Sequence, residues 1–151
     1  LIEIYSIVAL FLTVLYLLVL VYLIVGWFNL KRPKLTARTF TTKVTVLIAA
    51  RNEEEKIHLT INDILAQDYP RDLTEIIIVD DHSTDRTAEI IRSYAAQGVQ
   101  LLQLNEDKPL NSYKKKAIAE AIKLSAGELM VATDADCRMG NKWLSSIVNY
   151  Y

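Results

Sequence analysis

The chain has 151 residues, with 17 basic and 18 acidic side chains, a net charge of −1 and a single cysteine, Cys137. That length fits about one domain. The near-neutral balance leaves no basic field for nucleic acid. One cysteine excludes an internal disulfide and any zinc-ligand spacing, which suits a reducing compartment.

From Ile4 to Leu30 no charged residue occurs over 27 positions. As a helix this run is about 40 Å long, against about 30 Å for a bilayer core. A transmembrane helix over residues 1–30 is predicted, with Tyr5, Tyr22 and Trp27 near the interfaces. A signal peptide would have an apolar region of about 7–15 residues and a small-residue cleavage site; this run is longer and has no such site. Residues 31–42 form a basic linker, and no acid follows Lys31, Arg32, Lys34, Arg38 and Lys43 until Glu53. The positive-inside rule then sets the downstream domain in the cytoplasm, at what is expected to be a bacterial inner membrane. The basic cluster suits membrane lipids with anionic headgroups.

The pattern alternates from Lys43 onward. Val44–Ala49 is a β-branched apolar run, predicted to be a strand buried on both faces. Asn52 can cap a helix whose apolar positions Ile57, Ile61, Ile64 and Leu65 form one stripe. Glu75–Asp81 is a second buried strand, and "HSTD" offers caps for a helix over Arg86–Gln97, stopped by Gly98. Val99–Leu104 alternates more, as nearer an edge. Ser112 can cap a helix from Tyr113 that Gly127 ends. "ELMVAT" is a fourth strand, and Asn141 can start a last helix. This order predicts an α/β fold, an open parallel Rossmann-like sheet with helices on both faces, over residues 43–151.

Ligands of such sheets bind beyond the carboxyl ends of the strands. Polar clusters fall at three of these ends: "AARNEE" after the first strand, "DDHSTD" after the second and "TDADC" after the fourth. Asp134 and Asp136 can hold a divalent cation, Mn²⁺ or Mg²⁺, with water and phosphate oxygens completing the shell. The bland alternative is a turn cap and a solvated acid. Of Asp80 and Asp81, one suits an Asx-turn and the other can accept hydrogen bonds from a base or ribose. Asn52 and Glu53 can be a cap and a dipole-friendly acid, or contact a base or ribose. Lys114, Lys115 and Lys116 sit at the helix end that disfavours cations; one of them can meet a phosphate. His58 and His82 receive no chemistry, and Cys137 is read as packing. The absence of G-x-G-x-x-G after the first strand and of a P-loop argues against a dinucleotide oxidoreductase and a P-loop nucleotidase.

The stretches "VTVLIAARNEEEKI", "ILAQDYPRDLTEIIIVDDHSTDRTAEII" and "GELMVATDADC" followed by "NKWL" closely resemble glycosyltransferase family 2, the inverting enzymes with a GT-A fold. The resemblance runs from about Lys43 to the last residue. It implies a nucleotide-sugar donor, usually a UDP-sugar, a divalent cation, a glycan or lipid-linked acceptor, and strand order 3-2-1-4. Ala50, Arg51, Asn52 and Glu53 match the loop that holds the nucleoside. Asp80 and Asp81 match the acids that reach the base. Asp134, Ala135 and Asp136 match the D-x-D that binds ribose and metal-diphosphate, with Asp136 as the direct ligand. Two positions depart from the family's pattern. Arg51 stands where many members have an aromatic, and Tyr113-Lys114 stands where many have Gly-Lys.

Family members continue past the D-x-D with acceptor-binding elements and an acidic general base. The expectation is therefore a donor-binding part, inactive by itself, with its base beyond Tyr151. Two rivals come from other classes: a membrane-anchored nucleotide-binding module without catalysis, and a receiver-like signalling domain. The second is disfavoured because receiver acids follow the first strand, where this chain has Ala-Arg-Asn.

Overall fold

A computed structural model describes residues 2–30, 40–104 and 113–151, and the chain divides into two units, residues 1–34 and 35–151. In the first unit, α1 (Ile2–Phe28) is a single helix of 27 residues. It is apolar on all sides, and Glu3–Phe28 is long and apolar enough to cross a membrane. The Thr13 hydroxyl donates to the Ala9 carbonyl at 2.8 Å, which satisfies the hydroxyl within the helix.

The second unit is a four-stranded parallel sheet of β1 (Val44–Ala50), β2 (Thr74–Asp81), β3 (Val99–Leu104) and β4 (Leu129–Asp134). Its helices are α2 (Ile57–Leu65), α3 (Thr87–Ser93), α4 (Tyr113–Leu124) and α5 (Trp143–Val148). The strand order is β3-β2-β1-β4, as the family resemblance implies. It differs from the order of receiver-type sheets, which removes that rival.

Strand periodicity sorts the core into two layers. On one face Val44, Val46, Ile48, Ile76 and Ile78 pack with Ile57, Ile61 and Ile64 of α2, Ile91 of α3 and Leu144 of α5. On the other face Leu47, Ile77, Val79 and Leu104 meet Ala117 and Ala121 of α4. Each large aliphatic side chain so enclosed contributes about 1.5–3 kcal/mol. From β1 the chain steps through β2 to β3, then returns across the sheet to lay β4 on β1's other side. The direction of winding thus reverses between β1 and β4, and an open sheet has its crevice at such a reversal.

Several local expectations are corrected. Asn52 does not cap α2: that helix starts at Ile57, after Lys56, because Asn52 takes a left-handed φ of 54° and turns its side chain to the next loop. The helix expected over Arg86–Gln97 is α3 followed by a separate 3₁₀ turn, Ala95–Gln97. Gly98 does stop it, with φ 79°. Gly127 does not end α4, which stops at Leu124. Its role is close approach: its N–H donates to Thr45 Oγ1 at 2.9 Å, and a Cβ there would lie 2.4 Å from that oxygen. The last helix starts at Trp143 rather than beside Asn141. The Ser112 cap and linker positions 31–39 lie outside the described residues. Phe40, at the end of that linker, packs on Tyr69 with ring centroids 4.6 Å apart. The Tyr69 hydroxyl donates to the Thr42 carbonyl at 2.6 Å, and burial raises its pKa.

Candidate functional site

Parallel strands deliver their carboxyl ends to one rim. In register, Ala50 of β1 stands beside Asp80 of β2, and Ala49 stands beside Asp134 of β4. Neighbouring strands lie about 4.8 Å apart. The two acids therefore flank the end of the central strand, and the loops after β1, β2 and β4 share that rim.

The first two loops are braced to each other. The Asn52 N–H donates to Ser83 Oγ at 3.0 Å, and Asn52 Oδ1 accepts from the Thr84 N–H at 2.8 Å. The Glu53 N–H donates to Thr87 Oγ1 at 2.8 Å, and the Glu54 N–H to Asp85 Oδ2 at 3.2 Å. In return, Glu54 Oε2 accepts from the Arg86 N–H at 3.0 Å. Burial pushes the Asp85 carboxyl up, but hydrogen bonds from the Thr87 hydroxyl and N–H and from the Glu54 N–H outweigh it and hold its pKa below the ordinary value. Asn52 and His82, one on each loop, both have left-handed backbones, with φ 54° and 58°. Asn and His are enriched among non-glycine residues in that region, and such residues cluster at functional sites.

The acid pair after β2 divides its work. Asp80, 3% exposed, accepts from the Ser83 N–H through Oδ1 at 3.2 Å and from Gln103 Nε2 through Oδ2 at 3.1 Å. It is the Asx-turn acid, and both of its oxygens are engaged. Asp81, 6% exposed, pairs with His82, whose Nδ1 lies 2.9 Å from Oδ1. Asp81 is thus the acid of the pair with acceptor capacity left for a ligand.

The D-x-D segment closes β4 and hangs on α2. Ala135 is buried, while Asp136 is about half exposed. The buried Thr60 hydroxyl of α2 lies 2.7 Å from the Ala135 carbonyl and 3.0 Å from that of Cys137. Just beyond, Arg138 grips Asp63 of α2 through Nε at 2.6 Å and a second guanidinium nitrogen at 3.0 Å, and the Met139 N–H adds a third bond. The Arg138 hydrogen bond holds the Asp63 carboxyl below the usual carboxylate range. Lys56 Nζ lies 3.9 Å from Asp136 Oδ2, so a cation already faces the outer acid.

The sequence-predicted positions Ala50, Arg51, Asn52, Glu53, Asp80, Asp81, Asp134, Ala135 and Asp136 all fall on this rim. Lys114 lies in the first turn of α4, and its side chain lies outside the described residues. Sequence reasoning missed Lys56, Thr60 and His82. A histidine directly after an acid pair was a usable signal; the other two show themselves only through tertiary contact.

Among the described residues no three His, Cys, Asp or Glu side chains gather as a ready metal cage. Asp134 and Asp136 instead offer the one or two hard carboxylates with which Mg²⁺ and Mn²⁺ are held when a substrate's phosphates complete the shell.

A family model described as "Glycosyl transferase family 2" matches residues 45–151, which include the sheet and all three loops. The chain belongs to glycosyltransferase family 2. Beta-monoglucosyldiacylglycerol synthase from Synechocystis sp. is 32% identical over 122 residues, covering 79% of this chain and 26% of that protein. Mannosyltransferase PcManGT from Pyrobaculum calidifontis, solved in complex with GDP-Man and Mn²⁺, is 29% identical with a TM-score of 0.72, over 88% of this chain and 39% of that one. S. aureus TarS 1-349, solved with UDP-GlcNAc, is 27% identical with a TM-score of 0.61, over 72% of this chain and 30% of that one. The chain thus spans between a quarter and two fifths of these family members' lengths. The parallel sheet and its order belong to the GT-A fold of this family.

Proposed function

We propose that residues 43–151 form the nucleotide-sugar-binding part of a metal-dependent inverting glycosyltransferase, tethered to a membrane by residues 1–30 through the basic segment 31–42. The donor is a nucleotide-sugar, a UDP-sugar by preference, and the acceptor a glycan or a lipid-linked acceptor. The observation that carries this is the rim register, Ala50 beside Asp80 and Ala49 beside Asp134, which gathers the three loops at the sheet's winding reversal.

Asp81 accepts a base N–H, and the backbone of Ala50, Arg51, Asn52 and Glu53 lies along the nucleoside. Asp134 would reach the ribose, and Asp136 with Asp134 would hold a divalent cation, Mn²⁺ or Mg²⁺, if one binds. That cation, when bound, neutralises charge building on the departing nucleotide diphosphate. Lys56 and Lys114 add positive charge near the phosphates. In an inverting transfer the acceptor hydroxyl is deprotonated as its oxygen attacks the anomeric carbon opposite the leaving diphosphate. The basic segment and the apolar α1 support a cytoplasmic domain anchored at the membrane, with the basic segment suited to anionic lipid headgroups.

Titration of the full chain with UDP in the presence and absence of Mn²⁺, repeated with Asp136→Ala, tests this reading. Metal-dependent binding that the substitution abolishes is the expected result. Binding that ignores both the metal and the substitution would remove the metal from the site.

A further inference from the structure

Glycosyltransferases of this fold use more than one nucleobase: the two neighbours above were solved with a guanosine and a uridine donor. Base choice must therefore be written in side chains rather than in the sheet. The relevant group here is the Asp81–His82 pair. Asp81 is nearly enclosed, its side chain 9% exposed, and its Oδ1 lies 2.9 Å from His82 Nδ1. A carboxylate only accepts, so the contact assigns the proton to Nδ1. Neighbouring Asp80 is spent on Ser83 and Gln103. Among the described residues, Asp81 Oδ2 is the carboxylate oxygen of the pair without a hydrogen-bond partner.

The two candidate bases ask for different things. Uracil presents a single N–H, at N3, between two carbonyls. Guanine presents two parallel donors, N1–H and the N2 amino group, that engage both oxygens of a carboxylate side by side. We propose that His82 is a positioning residue that selects the nucleobase. By holding Asp81 through Oδ1 it fixes the carboxylate and leaves Oδ2 as its less encumbered acceptor, which satisfies uracil's one N–H and leaves one guanine donor poorly paired. An unpaired buried donor costs about 1–3 kcal/mol, roughly tenfold or more in affinity. This rests on the nucleotide-binding reading above and deepens it.

The backbone makes the idea separable from folding. His82 has φ 58°, a conformation that glycine adopts without penalty and asparagine tolerates. His82→Gly relieves the backbone and deletes the hydrogen bond in one step. His82→Asn keeps both a tolerant backbone and a side-chain N–H.

The test is calorimetric titration of the full chain in detergent, with Mn²⁺, using UDP and GDP as probes, alongside thermal unfolding of the same samples. Wild type is expected to prefer UDP by about tenfold. His82→Gly, in which backbone relief offsets the lost hydrogen bond, is expected to stay folded with a melting transition near that of wild type while its preference falls to within about threefold, and His82→Asn to retain most of the preference. A His82→Gly protein that keeps the full UDP preference overturns the proposal, as does an equal loss of affinity for both nucleotides. Wild type that binds nucleotide without preferring UDP overturns it too. Wild type that binds neither nucleotide overturns the donor-site reading itself.

Discussion

Lys56 and Asp136 face each other across 3.9 Å, each about half exposed, one at the entrance to α2 and the other at the tip of the D-x-D. An exposed pair of this kind contributes about 0–1 kcal/mol, so the lysine is easily displaced. A divalent ion at Asp136 has to compete with it. Lys56→Met is therefore expected to raise affinity for Mn²⁺ in the absence of nucleotide by up to about fivefold. Mn²⁺ titration followed by electron paramagnetic resonance measures this, and weaker metal binding in the variant would mean the lysine does not compete for the acid.

Thr60 sits under the D-x-D, its hydroxyl against the Ala135 and Cys137 carbonyls. Thr60→Val keeps the volume and removes the donor, leaving buried carbonyls short of a partner at a cost of about 1–3 kcal/mol. A lowered melting temperature is expected together with weaker Mn²⁺-dependent UDP binding. Unchanged nucleotide binding would show that the loop holds its shape without this bond.

Gly127 tolerates no side chain. A Cβ would sit 2.4 Å from Thr45 Oγ1 and 2.5 Å from the Thr45 nitrogen, part of a central strand that cannot yield. Gly127→Ala is expected to destabilise by about 1–3 kcal/mol, in the range of overpacked cores. Gly140, with nothing within 4 Å of its Cβ position, is the matched control: Gly140→Ala is expected to leave the urea midpoint nearly unmoved.

Acid should loosen the fold through identifiable carboxylates. Burial pushes Glu75 up, but the Thr45 hydroxyl at 2.6 Å, the Ala126 N–H at 2.9 Å and Gln100 at 3.3 Å outweigh it and lower its pKa below 4.5. Asp63 and Asp85 are likewise held below 3.8. Each folded pKa lies below its unfolded value. The stabilisation is thus fully present above the unfolded values and is lost as pH falls through the folded ones. Melting temperature is expected to fall steeply below about pH 4.5. Glu75→Gln should lower it at neutral pH and flatten that acid limb; an unchanged limb would assign the loss to other groups.

The strands and their shared rim were legible because buried parallel strands write themselves as continuous runs such as "VTVLIA" and "EIIIVDD", with polar residues at their ends. The division of labour within the rim was not. Little local distinguishes Asp80 from Asp81 beyond the histidine that follows them; the rest of the difference comes from Gln103, far along the chain on β3, and from the left-handed backbone at His82. Asn52 looked like a helix cap because caps are the commonest use of asparagine before an apolar stripe. Its partner Thr84 belongs to a loop that the intervening helix brings back alongside. Gly127 looked like a helix stop for the same reason, while the constraint on it comes from Thr45.

The bracing between the loops after β1 and β2 also bears on engineering. Five backbone N–H groups, those of Asn52, Glu53, Glu54, Thr84 and Arg86, each need an acceptor supplied by the opposite loop. Groups coupled this closely do not change independently. A chimaera that borrows one of these segments from a relative inherits half of a lock; donor preference should be transplantable only when both are exchanged together, at their native lengths.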